Sequence, residues 1–200
     1  SKGLSVKGII TTGRTHLMDA MPIALSQELS GSSSQLKNSR VSLEDSLERL
    51  LHLPQGGTAI GTGINAHPRF SKEFCKEVSK LTNSKAKPMD NFFRGLSSQD
   101  VPLQLSGRLK HLSVALMKIS NDLRWMNSGP LAGLGEIELQ ALQPGSSIMP
   151  GKVNPVVPES VAMVCADVIG NDVSVTVGAQ SGNFQLNVML PLIAYNVLKS

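Results

Sequence analysis

Residues 105–126 read LSGRLKHLSVALMKISNDLRWM. Leu105, Leu109, Leu112, Leu116, Ile119, Leu123 and Met126 recur at alternating spacings of four and three, which places them on one narrow stripe of an α-helix. Sustained over three heptads, such a stripe is the seam of a long helix packed against other helices. Asn127, Gly129 and Pro130 follow at once, supplying left-handed and helix-breaking residues that end it.

Working outward, Leu25, Leu29, Leu36, Leu43, Leu47 and Leu50 predict a second helix, from near Asp19 to before Pro54, with Pro22 in its first turn. Val157, Val161, Val164, Val168 and Val175 predict a third, with Asn171 on the same stripe. A fourth is expected to begin near Phe184 and to include Leu186, Met189, Ile193 and Val197. Arg40 and Asn171 interrupt apolar stripes, so each would need a polar partner if buried, and a neighbouring subunit's helix is one source. Gly56–Asn65, Asn83–Pro88 and Asn127–Asn154 are rich in Gly, Pro, Ser or Asn and read as connections. The fold class expected is all-α, an up-and-down bundle of long helices, with residues 1–200 as one helical domain.

Composition agrees. The chain has 200 residues, 40% of them apolar, with one Trp and one Tyr, a mix suited to seams between helices. Its formal charge of +4 is scattered, and the one dense basic stretch, Lys72–Lys87, also contains Glu73 and Glu77. It reads as a solvated helix face, so no nucleic-acid partner is expected. Cys75 and Cys165 are isolated and no His stands at metal-ligand spacing, which argues against a metal site and for a reducing compartment. Apolar runs are broken well before 18 residues, so no membrane association is expected. The sequence opens Ser-Lys-Gly-Leu without a start signal and stops inside an apolar-periodic segment, so both ends read as cut.

Helices alone say nothing of function. Chemistry points to the loop Gly145–Pro155, Gly-Ser-Ser-Ile-Met-Pro-Gly-Lys-Val-Asn-Pro. Asn154 and Pro155 form a good N-cap and first-turn pair, and the free N–H groups of the helix they open attract an anion such as a carboxylate. Lys152 and Asn154, two apart in an extended approach, can present a charge and an amide donor to the same side. Ser146 and Ser147 lie among Gly145, Pro150 and Gly151, in a segment able to close over a ligand. A glycine-rich connection with Lys152 in solvent would have the same composition. A second stretch, Gly13–Pro22, carries Thr15 and His16; a lone histidine is more often structural than catalytic, yet it is the side chain best suited to proton relay near neutral pH.

Gly145–Asn154 matches every specified position of the Gly-Ser-Ser-x-Met-Pro-x-Lys-x-Asn motif, and so resembles the fumarase and aspartase superfamily. Gly13-Arg14-Thr15-His16-Leu17-x-Asp19-Ala20-x-Pro22 is similar to the second conserved region of class II fumarases, where aspartases typically carry Gln at the position of His16. Gly56–Asn65 and Ser128–Ile137 also look like this family, whereas Phe92–Gln104 follows it only loosely, and Val156–Glu159 is a wording shared with aspartases. The resemblance covers essentially the whole chain, as the central helical domain without the family's N-terminal and C-terminal domains.

What that resemblance implies is a fumarate hydratase of the tricarboxylic acid cycle, a lyase interconverting fumarate and L-malate through an aci-carboxylate intermediate, with no cofactor. Ser146 would be the base, with His16 and Glu159 handling the water on the opposite face. Thr15, Ser147, Lys152, Val153 and Asn154 would bind the dicarboxylate. The family is a homotetramer whose sites combine three conserved regions from three subunits. The first region is absent here, so the excerpt alone is expected to be inactive. A cytoplasmic setting is implied, or the mitochondrial matrix in a eukaryote. The other readings are an aspartate ammonia-lyase, opposed by His16, and a non-catalytic helical oligomer scaffold.

Overall fold

The leucine seam lies within the longest helix of a computed structural model that describes residues 5–200; Ser1–Leu4, part of the stretch read as a cut end, lie outside it. In chain order the elements are β1 (Ile10–Thr15), β2 (Met18–Ala24), α1 (Leu25–Leu50), β3 (His52–Leu53), α2 (Phe70–Thr82), β4 (Lys87–Pro88), α3 (Phe92–Ser97), α4 (Asp100–Met126), α5 (Val156–Gln180) and α6 (Leu190–Lys199). Helices dominate, as an all-α bundle requires, and the strands form only an antiparallel β1–β2 hairpin and a two-residue parallel β3–β4 pair. The chain divides into two compact units, Ser1–Ser39 with Leu112–Ala166 and Arg40–His111 with Asp167–Ser200.

Burial along α4 sharpens the seam. Leu105 and Met126 are buried, but Leu109, Leu112, Leu116, Ile119 and Leu123 are half-buried, while Ser106, Ser113 and Ser120 at heptad spacing are almost fully covered. Helix α1 does the same with Ser39 and Ser46. Small side chains thus take the most covered positions of both helices. Their hydroxyls are satisfied locally: Ser39 donates to the Gln35 carbonyl and Ser46 to that of Ser42.

In the second unit, Ser106 instead donates to Asp172 of α5 at 2.8 Å, and Lys110 places its ammonium 2.5 Å from the other carboxylate oxygen. Asp172 is 3% exposed, so these two donors are what make its burial tolerable. Val168, Val175 and Ile193 pack in the same unit.

Three expectations are corrected. The second helix begins at Leu25 rather than near Asp19, because Met18–Ala24 pairs with Ile10–Thr15 in the hairpin and Pro22 lies in a strand opposite Thr12. The helix start is then marked by Gln27, whose side-chain carbonyl accepts the Ala24 N–H at 3.0 Å, one half of a capping box. The last helix begins at Leu190 rather than near Phe184. Residues 181–189 turn instead around Asn187, fully buried, which donates to the Gly178 and Ala179 carbonyls and accepts the Met189 N–H. Arg40 is exposed and paired with Glu44 on its own helix, and the buried Asn171 finds Asp167 and Ser200 within the chain, so neither needs a neighbouring subunit.

The basic stretch behaves as expected: α2 carries exposed Lys76–Glu73 and Lys80–Glu77 pairs and then a loop. Helix α5 differs from expectation in being, by length and composition, apolar enough to cross a membrane, with an 18-residue window of mean hydropathy 1.4, a third of it buried.

The hairpin needs an anchor, since two strands alone are marginal in water. Gly13 lies so close to the Met21 carbonyl that a Cβ would approach it to 2.8 Å, and just beyond is a bulge before Arg14. From there Arg14 donates to both oxygens of Glu136, at 2.8 and 3.1 Å, and Thr11 donates to the same carboxylate at 2.9 Å. Glu136 is held below the usual carboxylate range, first by its hydrogen bond from Arg14 and then by that from Thr11, against a desolvation that opposes it.

Two outcomes are expected. Asp172→Ala strands the Ser106 hydroxyl and the Lys110 ammonium and should lower unfolding stability by about 2 kcal/mol in urea titration. Because the folded Glu136 titrates below its unfolded value, its contribution is complete above about pH 4.3 and disappears as pH falls through the lower folded value. Thermal melts from pH 6 to 3 should therefore show a steeper acid loss in the wild type than in Glu136→Gln.

Candidate active site

Ser146, Lys152 and the start of α5 belong to one tightly closed loop. The Ser146 N–H donates to the Lys152 carbonyl at 3.1 Å and the Lys152 N–H to the Met149 carbonyl at 3.1 Å. Gly145 makes this closure possible, because a Cβ there would meet the Lys152 carbonyl oxygen at 2.7 Å. Inside the loop, Ser146 Oγ accepts two backbone N–H groups, from Ile148 at 3.2 Å and Met149 at 3.3 Å. Two donors aimed at one hydroxyl oxygen favour its anionic form, the condition a serine needs to take a proton.

The loop leads into α5, whose first residue, Val156, donates its N–H to the Asn154 carbonyl at 2.9 Å. The helix begins where Asn154 and Pro155 predict. Lys152, Val153, Asn154 and Glu159 line one cavity of about 410 Å³ with Asn121, Arg124, Trp125, Asn127, Ser128 and Gly129. Two cations and the amino end of a 25-residue helix thus border the same space. Among the described residues Lys152 makes no ion pair. That is a setting for a small carboxylate ligand.

His16 stands elsewhere. With Leu17 it forms the two-residue tip of the hairpin, both at positive φ, 57° and 62°, the geometry of a type I′ turn. Such conformations cost non-glycine residues on the order of 1–3 kcal/mol each and cluster where function fixes the side chain. His16 lines a second cavity of about 690 Å³ with Arg14, Glu28, Lys118, Asp122 and Glu136, and Trp125 borders both cavities. Thr15, Ser146 and Ser147 line neither.

One chain therefore brings together Lys152, Val153, Asn154 and Glu159, and leaves His16 at a different cavity. Sequence reading missed Asn121 and Arg124, which the seam pattern hid as solvent-facing positions of α4, and Arg124 donates to Asn121 at 3.1 Å. It also missed Arg14 and Glu136, although both lie inside stretches singled out for resemblance. The signal was there: Glu136 is the one acid of the Ser128–Ile137 run and Arg14 the one arginine or lysine of Gly13–Pro22.

Known proteins are similar to this chain in sequence and in fold. Class II fumarate hydratase 2 of Pseudomonas aeruginosa is 61% identical over all 200 residues, which cover 44% of that protein. The class II fumarate hydratase of Xylella fastidiosa is 61% identical over 96% of this chain and 41% of its own length. A crystal structure of class II fumarase from Schistosoma mansoni superposes with a TM-score of 0.96 at 42% identity, over 98% of this chain and 44% of that one. A fumarate lyase:delta crystallin structure from Brucella melitensis gives 0.93 at 46% identity, over 98% and 43%. The chain thus spans less than half the length of these relatives. The lyase family pattern matches residues 2–170, well over half of the chain, and the chain belongs to that lyase family.

Proposed function

We propose that the protein containing this chain is a fumarate hydratase, adding water reversibly to fumarate to give L-malate. The observation that carries this reading is the closed loop that turns two N–H groups onto Ser146 Oγ immediately before the Lys152–Asn154 helix start. Similarity to class II fumarate hydratases over the whole chain supports the choice of substrate.

In the dehydration direction, Ser146 takes the proton from the carbon next to one carboxylate of malate. The released electron pair moves into that carboxylate, making an aci-carboxylate with an added negative charge. Lys152 and the Asn154 amide, at the positive end of the α5 dipole, meet that charge with donors already in place. Ser147, Val153 and Thr15 hold the dicarboxylate. Hydroxide then leaves from the adjacent carbon, a proton passes to it through His16, and fumarate and water result. Glu159 serves His16 as a hydrogen-bond acceptor that orients the imidazole. No step calls for a metal or cofactor.

The same reading makes the protein a homotetramer with sites completed between subunits. Two observations support it: His16 and Glu159 line different cavities of one chain, and α5 leaves Met163, Val164 and Val173 more than half exposed. An apolar helix with uncovered valines fits a subunit contact, and the buried Asp172 and Asn171 on it fit a bundle better than a lipid bilayer. The free, buried Cys75 and Cys165 fit a reducing compartment such as the cytoplasm.

The full-length protein given L-malate should raise the absorbance of the fumarate double bond, and Ser146→Ala should lower kcat by at least about 100-fold. Unchanged turnover in that variant would remove Ser146 from the mechanism. Val156–Glu159 keeps an aspartate ammonia-lyase as the second reading, and ammonia release from L-aspartate without malate turnover would establish it. Sedimentation should give a tetramer; a stable oligomer that binds no dicarboxylate would instead favour a scaffold.

A further inference from the structure

Among the described residues the hairpin that carries Thr15 and His16 has no neighbouring strand beyond its own pair, and the two residues of its tip are at positive φ without being glycine. Something must fix its position within the unit. The strongest polar attachment is Glu136, whose side chain is 18% exposed and which accepts three hydrogen bonds, two from Arg14 and one from Thr11. Asp19, 3.8 Å from Arg14 and 85% exposed, adds little.

Glu136 is itself tied down from behind. Its N–H and that of Ile137 both donate to the Met126 carbonyl, at 2.8 and 3.2 Å, and the Gly135 N–H donates to the Ser128 carbonyl at 2.7 Å. These bonds cap the carboxyl end of α4, so Glu136 projects from a helix terminus and not from a free loop. Ser128 and Gly129, at the start of the same segment, line the cavity that holds Lys152 and Asn154. One segment thus borders the anion cavity at one end and grips the histidine-bearing hairpin at the other.

We infer that Glu136 is a positioning residue, which through its paired hydrogen bonds to Arg14 sets where the hairpin tip presents Thr15 and His16 to the reaction. The inference rests on the hydratase reading above for the reaction concerned, but the anchoring itself does not. Arg14 is two residues from His16 along the strand, and its planar fork, gripped at both nitrogens, fixes direction as well as distance. Loss of the carboxylate leaves the anion clamp intact and lets the imidazole wander. Misplacement on the scale of 1 Å reduces the rate of a step that depends on orientation far more than it weakens ground-state binding.

The test uses the full-length protein with Glu136→Gln, Arg14→Met, the double variant and Arg14→Lys, which keeps the charge but not the fork. Turnover of L-malate, thermal midpoints and amide hydrogen exchange of residues 10–24 are measured for each. In Glu136→Gln, kcat should fall about 10- to 100-fold while KM stays within about threefold. The double variant should be no slower than the worse single one, and Arg14→Lys should lie between. Exchange in residues 10–24 should quicken while that of α4 residues 105–120 does not. The inference is overturned if kcat per folded protein is unchanged, if the two single losses multiply in the double variant, or if hairpin exchange stays at the wild-type rate. A wild type inert toward malate and fumarate would sink the hydratase reading alone, and the anchoring would then be decided by hydrogen exchange.

Discussion

Long helices can pack closely only if something small stands at each point of nearest approach, and this constraint organises the chain. Ser106, Ser113 and Ser120 on α4, and Ser39 and Ser46 on α1, are almost fully covered at intervals of seven. A buried hydroxyl must find an acceptor, and a helix offers one four residues back. Serine therefore combines the size of a small residue with a bond the helix supplies. Where Ser106 departs from that habit, it reaches across to Asp172 and converts a packing contact into a specific pairing of α4 with α5.

Regular helices leave their ends as the only places where backbone groups lack partners, and the chain's chemistry collects there. The carboxyl end of α4 is closed by the N–H groups of Glu136 and Ile137, and Asn127 accepts the Leu139 N–H, so a long connection becomes an ordered strap. At the amino end of α5 the Asn154 and Pro155 carbonyls take the N–H groups of Val156 and Glu159, and the loop before them folds on itself to hold Ser146. Asn187 does similar work between α5 and α6, accepting and donating at once from a fully buried position.

Helical periodicity made α4 and α5 legible within a few residues, because their apolar positions follow one rule along their whole length. The serine stripe was equally periodic but reads as polar, and a polar residue at heptad spacing is easily taken for the solvent face. The hairpin was missed for a different reason. Pro22 after a polar turn looks like a helix start, and neither His16 nor Leu17 announces a type I′ turn as Asn-Gly would. Its polar anchor joins Arg14 and Thr11 to Glu136, more than a hundred residues away in sequence. At the 145–155 loop the residues were legible and the placement was not. The Asn154–Pro155 cap puts the helix start within a residue of Val156, but only the folded chain separates the cavity of Lys152 from that of His16.

The turn at His16 and Leu17 also bears on how this chain can change. A backbone with two successive left-handed residues is most comfortable with Asn and Gly, so the hairpin would gain stability from the commonest substitutions at its tip. The gain at the first of the two positions would remove the imidazole. Under the role proposed for His16, selection for a sturdier fold and selection for that side chain pull in opposite directions at one residue, and a descendant freed from the second demand should lose the histidine first.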